Sequence, residues 1–216
     1  MDRLAVLPSS LRAWLGPIAG LAVLVVVVLG VLYAGHSEPG RVDRWIIRPT
    51  ADSVPPPWRY VALATDFLGE PAGAVALVLA AVTGCLLFRR PRAAVFVVAG
   101  VGMTVGATTL LKPLVGRTIH GDNLSYPSGH TAFLTALALI VALLATGRLG
   151  LGRTAGTSLV LATALVAGAA MGWAQAALGA HYPTDALGGW CTALAVIPAT
   201  AWLVDRMADA RPWRGR

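Results

Sequence analysis

The stretch Tyr126-Pro127-Ser128-Gly129-His130-Thr131 runs straight into AFLTALALIVALLAT, Ala132 to Thr146, and this junction decides the fold. The apolar run has no alternation of period two, so it reads as helix and not as strand. A proline at a helix start costs little, because the N–H it lacks would have no intrahelical partner there. The N–H groups of Ser128, Gly129 and His130 are then expected to point outward at the positive end of the helix dipole, where an anion is favoured. An apolar helix and an anion-ready mouth thus share one segment.

Working outward, five further apolar runs flank this one. The six extend roughly from Trp14 to Ala34, Ala72 to Phe88, Ala93 to Leu111, His130 to Thr146, Thr154 to Ala174 and Ala186 to Val204. A bilayer core takes about 20 apolar helical residues to cross, so each run reads as a membrane span. The first has no small-x-small cleavage site followed by a soluble domain, so it is expected to be a retained helix and not a signal peptide. Of the 216 residues, 56% are hydrophobic and only 12% charged, about half the charged share of a soluble domain. Mean hydropathy is +0.71, and the 24 glycines and 14 prolines suit closely packed membrane helices. Disordered chains, fibrous repeats and water-soluble globules are excluded. The expected fold is all-α: one domain over residues 1–216, a six-transmembrane-helix bundle with a short interfacial helix between the first two spans. That helix is expected from Val42–Arg48 followed by Tyr60–Leu68.

The net charge of +7 comes from 17 basic and 10 acidic residues. Six spans put both termini on one side, with Arg3, Arg12, Arg89, Arg90, Arg92, Arg148, Arg153, Arg206, Arg211, Arg214 and Arg216. Arg41, Arg44, Arg48, Arg59, Lys112 and Arg117 fall on the other. The excess of arginine places the termini in the cytoplasm of a multi-pass cell-membrane protein. The charge suits orientation at a membrane and an anionic partner, not a nucleic-acid groove, and the basic tail after Val204 is expected to meet anionic lipid head groups. Trp14, Trp45, Trp58, Trp190, Trp202 and Trp213 read as interface anchors. Cys85 and Cys191 sit in apolar runs and read as packing residues.

Three polar groups fall on the extracytoplasmic side. The first is Lys112-Pro113-Leu114-Val115-Gly116-Arg117, with the only lysine in the chain. The second is Tyr126 to Thr131. The third is His181-Tyr182-Pro183-Thr184-Asp185, in which His181 and Asp185 stand one helical turn apart. That spacing lets the carboxylate hold one imidazole nitrogen and leave the other lone pair exposed, as a nucleophile requires. Taken singly, these groups read as a snorkelling charge, a helix cap and a structural pair. Together they compose a set suited to a phosphoryl group: Lys112 and Arg117 as cations, Ser128 and Gly129 as hydrogen-bond donors, His130 as proton donor, and His181 as attacking group. His120 and Tyr126 are placed as possible head-group contacts. Asp66 and Glu70 read as caps or ion-pair partners. A zinc site from His120, His130 and His181 lacks a paired-ligand spacing, so no metal and no cofactor is expected.

These blocks resemble the type-2 phosphatidic acid phosphatase (PAP2) superfamily of membrane lipid phosphatases, whose pattern is K-x6-R-P, P-S-G-H and S-R-x5-H-x3-D. Pro127, Ser128, Gly129 and His130 match the second block, His181 and Asp185 the end of the third, and Lys112 the start of the first. The resemblance implies that His181 attacks phosphorus with Asp185 in support. His130 would protonate the leaving lipid oxygen, while Lys112, Ser128 and Gly129 hold the phosphoryl oxygens. It also implies a lipid mono- or diphosphate substrate: polyprenyl, glycerolipid or glycolipid. The chain departs from the pattern at Ile119 and His120, which replace R-P, and at Ala174-Gln175, which replace S-R. Arg117 can take over from the first missing arginine, and Gln175 can offer one neutral hydrogen bond to phosphate. A second reading is therefore a catalytically impaired relative that binds or moves lipid phosphates. A third is an intramembrane serine protease with Ser128 as nucleophile, which leaves Lys112 and Asp185 unexplained.

Overall fold

A computed structural model describes residues 5–47 and 54–210. Arg3, Arg48, Trp213, Arg211, Arg214 and Arg216, invoked above for orientation and lipid contact, lie outside the described residues. A short 3-10 turn at Ser9–Leu11 leads into α1 (Arg12–Leu32), followed by α2 (Arg41–Ile47), α3 (Pro56–Phe67), α4 (Pro71–Leu87) and α5 (Pro91–Val115). After a small hairpin, β1 (Thr118–Ile119) and β2 (Asn123–Leu124), come α6 (Gly129–Leu149), α7 (Arg153–Ala177) and α8 (Pro183–Asp209). Prolines open α3, α4, α5 and α8, and the Ser128 side chain caps α6 by accepting from the Thr131 N–H.

The helices α6 and α8 form the centre, and α1, α5 and α7 pack around them. Leu139, Ile140, Leu143 and Ile197 fill the core with Phe96 and Val97 of α5. Large apolar side chains such as Leu21, Leu24 and Val27 of α1 and Leu165 and Val166 of α7 face outward, as a lipid-facing surface requires. Counting the 3-10 turn with α1, five helices are long and apolar enough to cross a membrane, and the pair α3–α4, bent by 60°, makes a sixth when its two helices are counted as one span.

Two features differ from the sequence expectation. Where one short interfacial helix is expected before the second span, two helices form, because the run Pro55-Pro56-Pro57 starts the chain afresh. The second, α3, packs along α7 before the bend into α4. A hairpin also forms between α5 and α6, with Thr118 opposite Leu124 and Ile119 opposite Asn123. Helix α5 runs on to Val115, so Lys112 stands on its last turn instead of beyond it.

One end of the bundle is tied by Asp205, whose carboxylate accepts the N–H groups of Val6 and Leu7 at 3.0 Å each and pairs with Arg92 at 2.8 Å. The opposite end gathers α2, the hairpin and the starts of α6 and α8. There the Ser128 N–H donates to the Asp185 carbonyl at 2.9 Å. Gly189 makes this approach possible: a Cβ there would lie 2.3 Å from the Ser128 carbonyl oxygen. Trp190, expected at the interface, instead packs on Gly168 and donates to the Ala164 carbonyl, joining α8 to α7.

Candidate active site

The three polar blocks converge at this second end, and the structure assigns them unequal work. Arg117 is fully buried. One terminal nitrogen donates to Asp185 Oδ1 at 2.6 Å and Thr184 Oγ1 at 2.6 Å, and the other to Asp43 Oδ2 at 2.7 Å. Its guanidinium lies between two rings, 4.0 Å from the centroid of Tyr33 and 4.5 Å from that of Tyr182. A cation so enclosed cannot also hold a phosphoryl oxygen, so the expectation for Arg117 as a phosphate ligand gives way to a structural role.

Asp185 is equally committed. Besides Arg117 it accepts the Tyr182 N–H at 3.1 Å, closing the first turn of α8. His181 Nδ1 stands 3.7 Å from Asp185 Oδ2, an electrostatic contact and not a hydrogen bond. The expected His181–Asp185 hydrogen bond is therefore open in this state, and Nδ1 is buried without a partner among the described residues. The loop before it is held by the Ala180 N–H on the Gln175 carbonyl at 2.9 Å.

At the start of α6, Ser128 is fully buried and its Oγ accepts from the N–H and hydroxyl of Thr131. Its own N–H is spent on Asp185. Gly129 and His130 keep the outward N–H groups that a first helical turn leaves open. Ser128 therefore positions this turn, and its buried hydroxyl fits neither an exposed phosphate contact nor a protease nucleophile. Tyr126 is also fully buried, with its hydroxyl on the Val26 carbonyl at 2.8 Å and its ring against Gly188. It is a packing residue and not a head-group contact. His120 remains exposed on the rim and donates Nε2–H to the Gly179 carbonyl at 2.8 Å. Lys112 is partly exposed and, among the described residues, makes no ion pair.

Gln175 is 1% exposed and gives its side-chain N–H to Asp66 Oδ1 at the end of α3, not to an open pocket. Asp66 Oδ1 in turn lies 3.7 Å from His130 Nε2, and Glu70 Oε1 lies 3.5 Å from the same nitrogen. His130 rests on Gly69 at the α3–α4 bend, where a Cβ would come within 2.4 Å of the imidazole. The sequence reading gave Asp66 and Glu70 no part in the site and passed over Asp43. Asp43 is fully buried and also accepts the Thr184 N–H at 2.9 Å. No local spacing could have paired it with Arg117, 74 residues away.

Several helices fit to cross a membrane, with the starts of α6 and α8 joined at one end of the bundle, define a multi-pass membrane protein. The profile of the PAP2 superfamily matches residues 74–208, and the chain belongs to that superfamily. The fold is also that of a crystal structure described as the first transmembrane PAP2 type phosphatidylglycerolphosphate phosphatase from Bacillus subtilis. The TM-score is 0.70 and the identity 18%, covering 91% of this chain and 98% of that one. No curated protein matches the chain.

Proposed function

We propose that this protein is a lipid phosphate phosphatase working through a phosphohistidine at the extracytoplasmic face. Family membership supports the reaction class. The single observation that supports the site is the Ser128–Asp185 backbone hydrogen bond at 2.9 Å, which ties the chain two residues before His130 to the chain four residues after His181. With Nδ1 turned toward Asp185, His181 Nε2 attacks phosphorus. A P–N bond forms, the lipid O–P bond breaks, and His130 gives its proton to the leaving oxygen. Water then cleaves the P–N bond, releasing phosphate and returning a proton to His130. Lys112 and the N–H groups of Gly129 and His130 hold the phosphoryl oxygens, and no step needs a metal ion. Asp185 supports His181 by charge, and the Arg117–Asp43 pair keeps Asp185 in place.

A lipid substrate is supported by an apolar cavity of about 390 Å³ among α2, α7 and α8, lined by Ile46, Leu165, Trp173, Pro183, Leu187 and Trp190. It begins next to Gln175 and Tyr182 in the chain and faces the membrane-spanning length of α7 and α8, so an acyl or prenyl chain fits it. The test is phosphate release by detergent-solubilised protein across polyprenyl, glycerolipid and glycolipid mono- and diphosphates, with and without chelator. Turnover on at least one class, unchanged by chelator and lost in His181→Ala, is expected. The engagement of Gln175 by Asp66 favours a second reading, a relative that binds lipid phosphates without cleaving them. Silence of the native protein across the whole panel would select it.

A further inference from the structure

We propose that Asp66, Glu70 and His130 form a binding site for a zinc-like divalent cation, whose occupancy withdraws His130 from catalysis. The effect on turnover rests on the role proposed for His130 above; the binding does not. The three ligand atoms all lie within 4.8 Å of one another. Asp66 Oδ1 and Glu70 Oε1 stand 3.7 and 3.5 Å from His130 Nε2, beyond hydrogen-bond distance. Two ligands of a tetrahedral ion, each about 2.1 Å from the metal, sit roughly 3.4 Å apart. The observed spacings are therefore near those of a coordination shell and too wide for direct contact.

Two enclosed polar groups border these carboxylates. His130 Nε2 is enclosed and has no hydrogen-bond partner among the described residues, although it faces two carboxylates. Gln175, 1% exposed, bonds Asp66 Oδ1 through Nε2, and its Oε1 has no partner among the described residues. A hydrogen bond onto a ligating carboxylate is what orients such ligands in metal sites. An arginine at 175 would neutralise Asp66, whereas the neutral amide orients the carboxylate and leaves its charge for a cation. Glu70, with 51% of its side chain exposed, gives an ion access from water. One imidazole and two carboxylates with an open fourth position suit zinc. The ion would bind the Nε2 lone pair and displace the proton that His130 otherwise donates.

The experiment is calorimetric titration of chelator-stripped, full-length protein in detergent with Zn²⁺ alone, alongside phosphate release. One ion per chain is expected, with proton release, and Glu70→Gln and Asp66→Asn should each weaken binding about tenfold or more. Zinc should inhibit the native protein reversibly, and Glu70→Gln should lose that inhibition, each protein being compared with its own metal-free rate. No binding by the native protein, undiminished binding by both variants, or a native rate that zinc leaves alone or raises would overturn the proposal. A chain that binds zinc through these residues but releases no phosphate from any lipid keeps the cation site. It removes the phosphatase reading, and with it the inhibition.

Discussion

Arg117 and Asp185 meet at 2.6 Å with neither side chain exposed, and Asp43 closes the group from the other side at 2.7 Å. Removing one member of a buried ion pair leaves an unpaired charge and costs about 3–5 kcal/mol. Arg117→Ala is expected to lose stability on that scale, read as a large fall in the thermal unfolding midpoint in detergent. An Arg117→Ala protein as stable as the native one, with only a raised KM for lipid phosphate, would return this arginine to the substrate.

Gly189→Ala places a Cβ where the Ser128 carbonyl oxygen now stands at 2.3 Å. Overpacking of this kind costs about 1–3 kcal/mol. Here the strain falls on the contact that holds α6 to α8. Circular dichroism should still report a helical protein while phosphate release drops by at least about tenfold, the rate effect of 1.4 kcal/mol. Full activity would mean that the spacing of these helix starts does not govern the chemistry.

Gln175→Arg restores the residue type of the resembled pattern but sets a guanidinium beside Asp66. Pairing with Asp66 is expected to absorb the new charge, and kcat/KM should fall by about tenfold, the scale of one charged hydrogen bond misplaced. A rise in rate would show instead that the native site is limited by its missing cation.

Orientation can be read with single cysteines in a Cys85→Ala, Cys191→Ala background. Asp122→Cys on the exposed hairpin is expected to react with an impermeant maleimide in intact cells. Arg153→Cys, at the opposite end of the bundle, should react only after permeabilisation. The reverse pattern would place the histidines in the cytoplasm.

The helical runs were legible in the sequence because crossing a bilayer demands long uninterrupted apolar segments, and prolines at four helix starts mark where several begin. The second run is matched by α4, whereas the 60° bend at Leu68–Glu70 that joins α3 to it left no mark in composition. Pro127 to His130 and His181 to Asp185 were legible because their spacing lies within one helical turn.

The apolar pattern and the short motifs thus set the helical bundle and the helix starts at which the proposed site lies, all of which depend on neighbours a few residues apart. Folding alone decided which polar groups at that end are taken up by partners. Arg117 is spent on Asp43 and Asp185, and Gln175 on Asp66, 109 residues distant. A buried charge takes its partner from whatever the packing of α2, α3 and α8 brings within hydrogen-bond reach, and such partners leave no spacing to read along the chain.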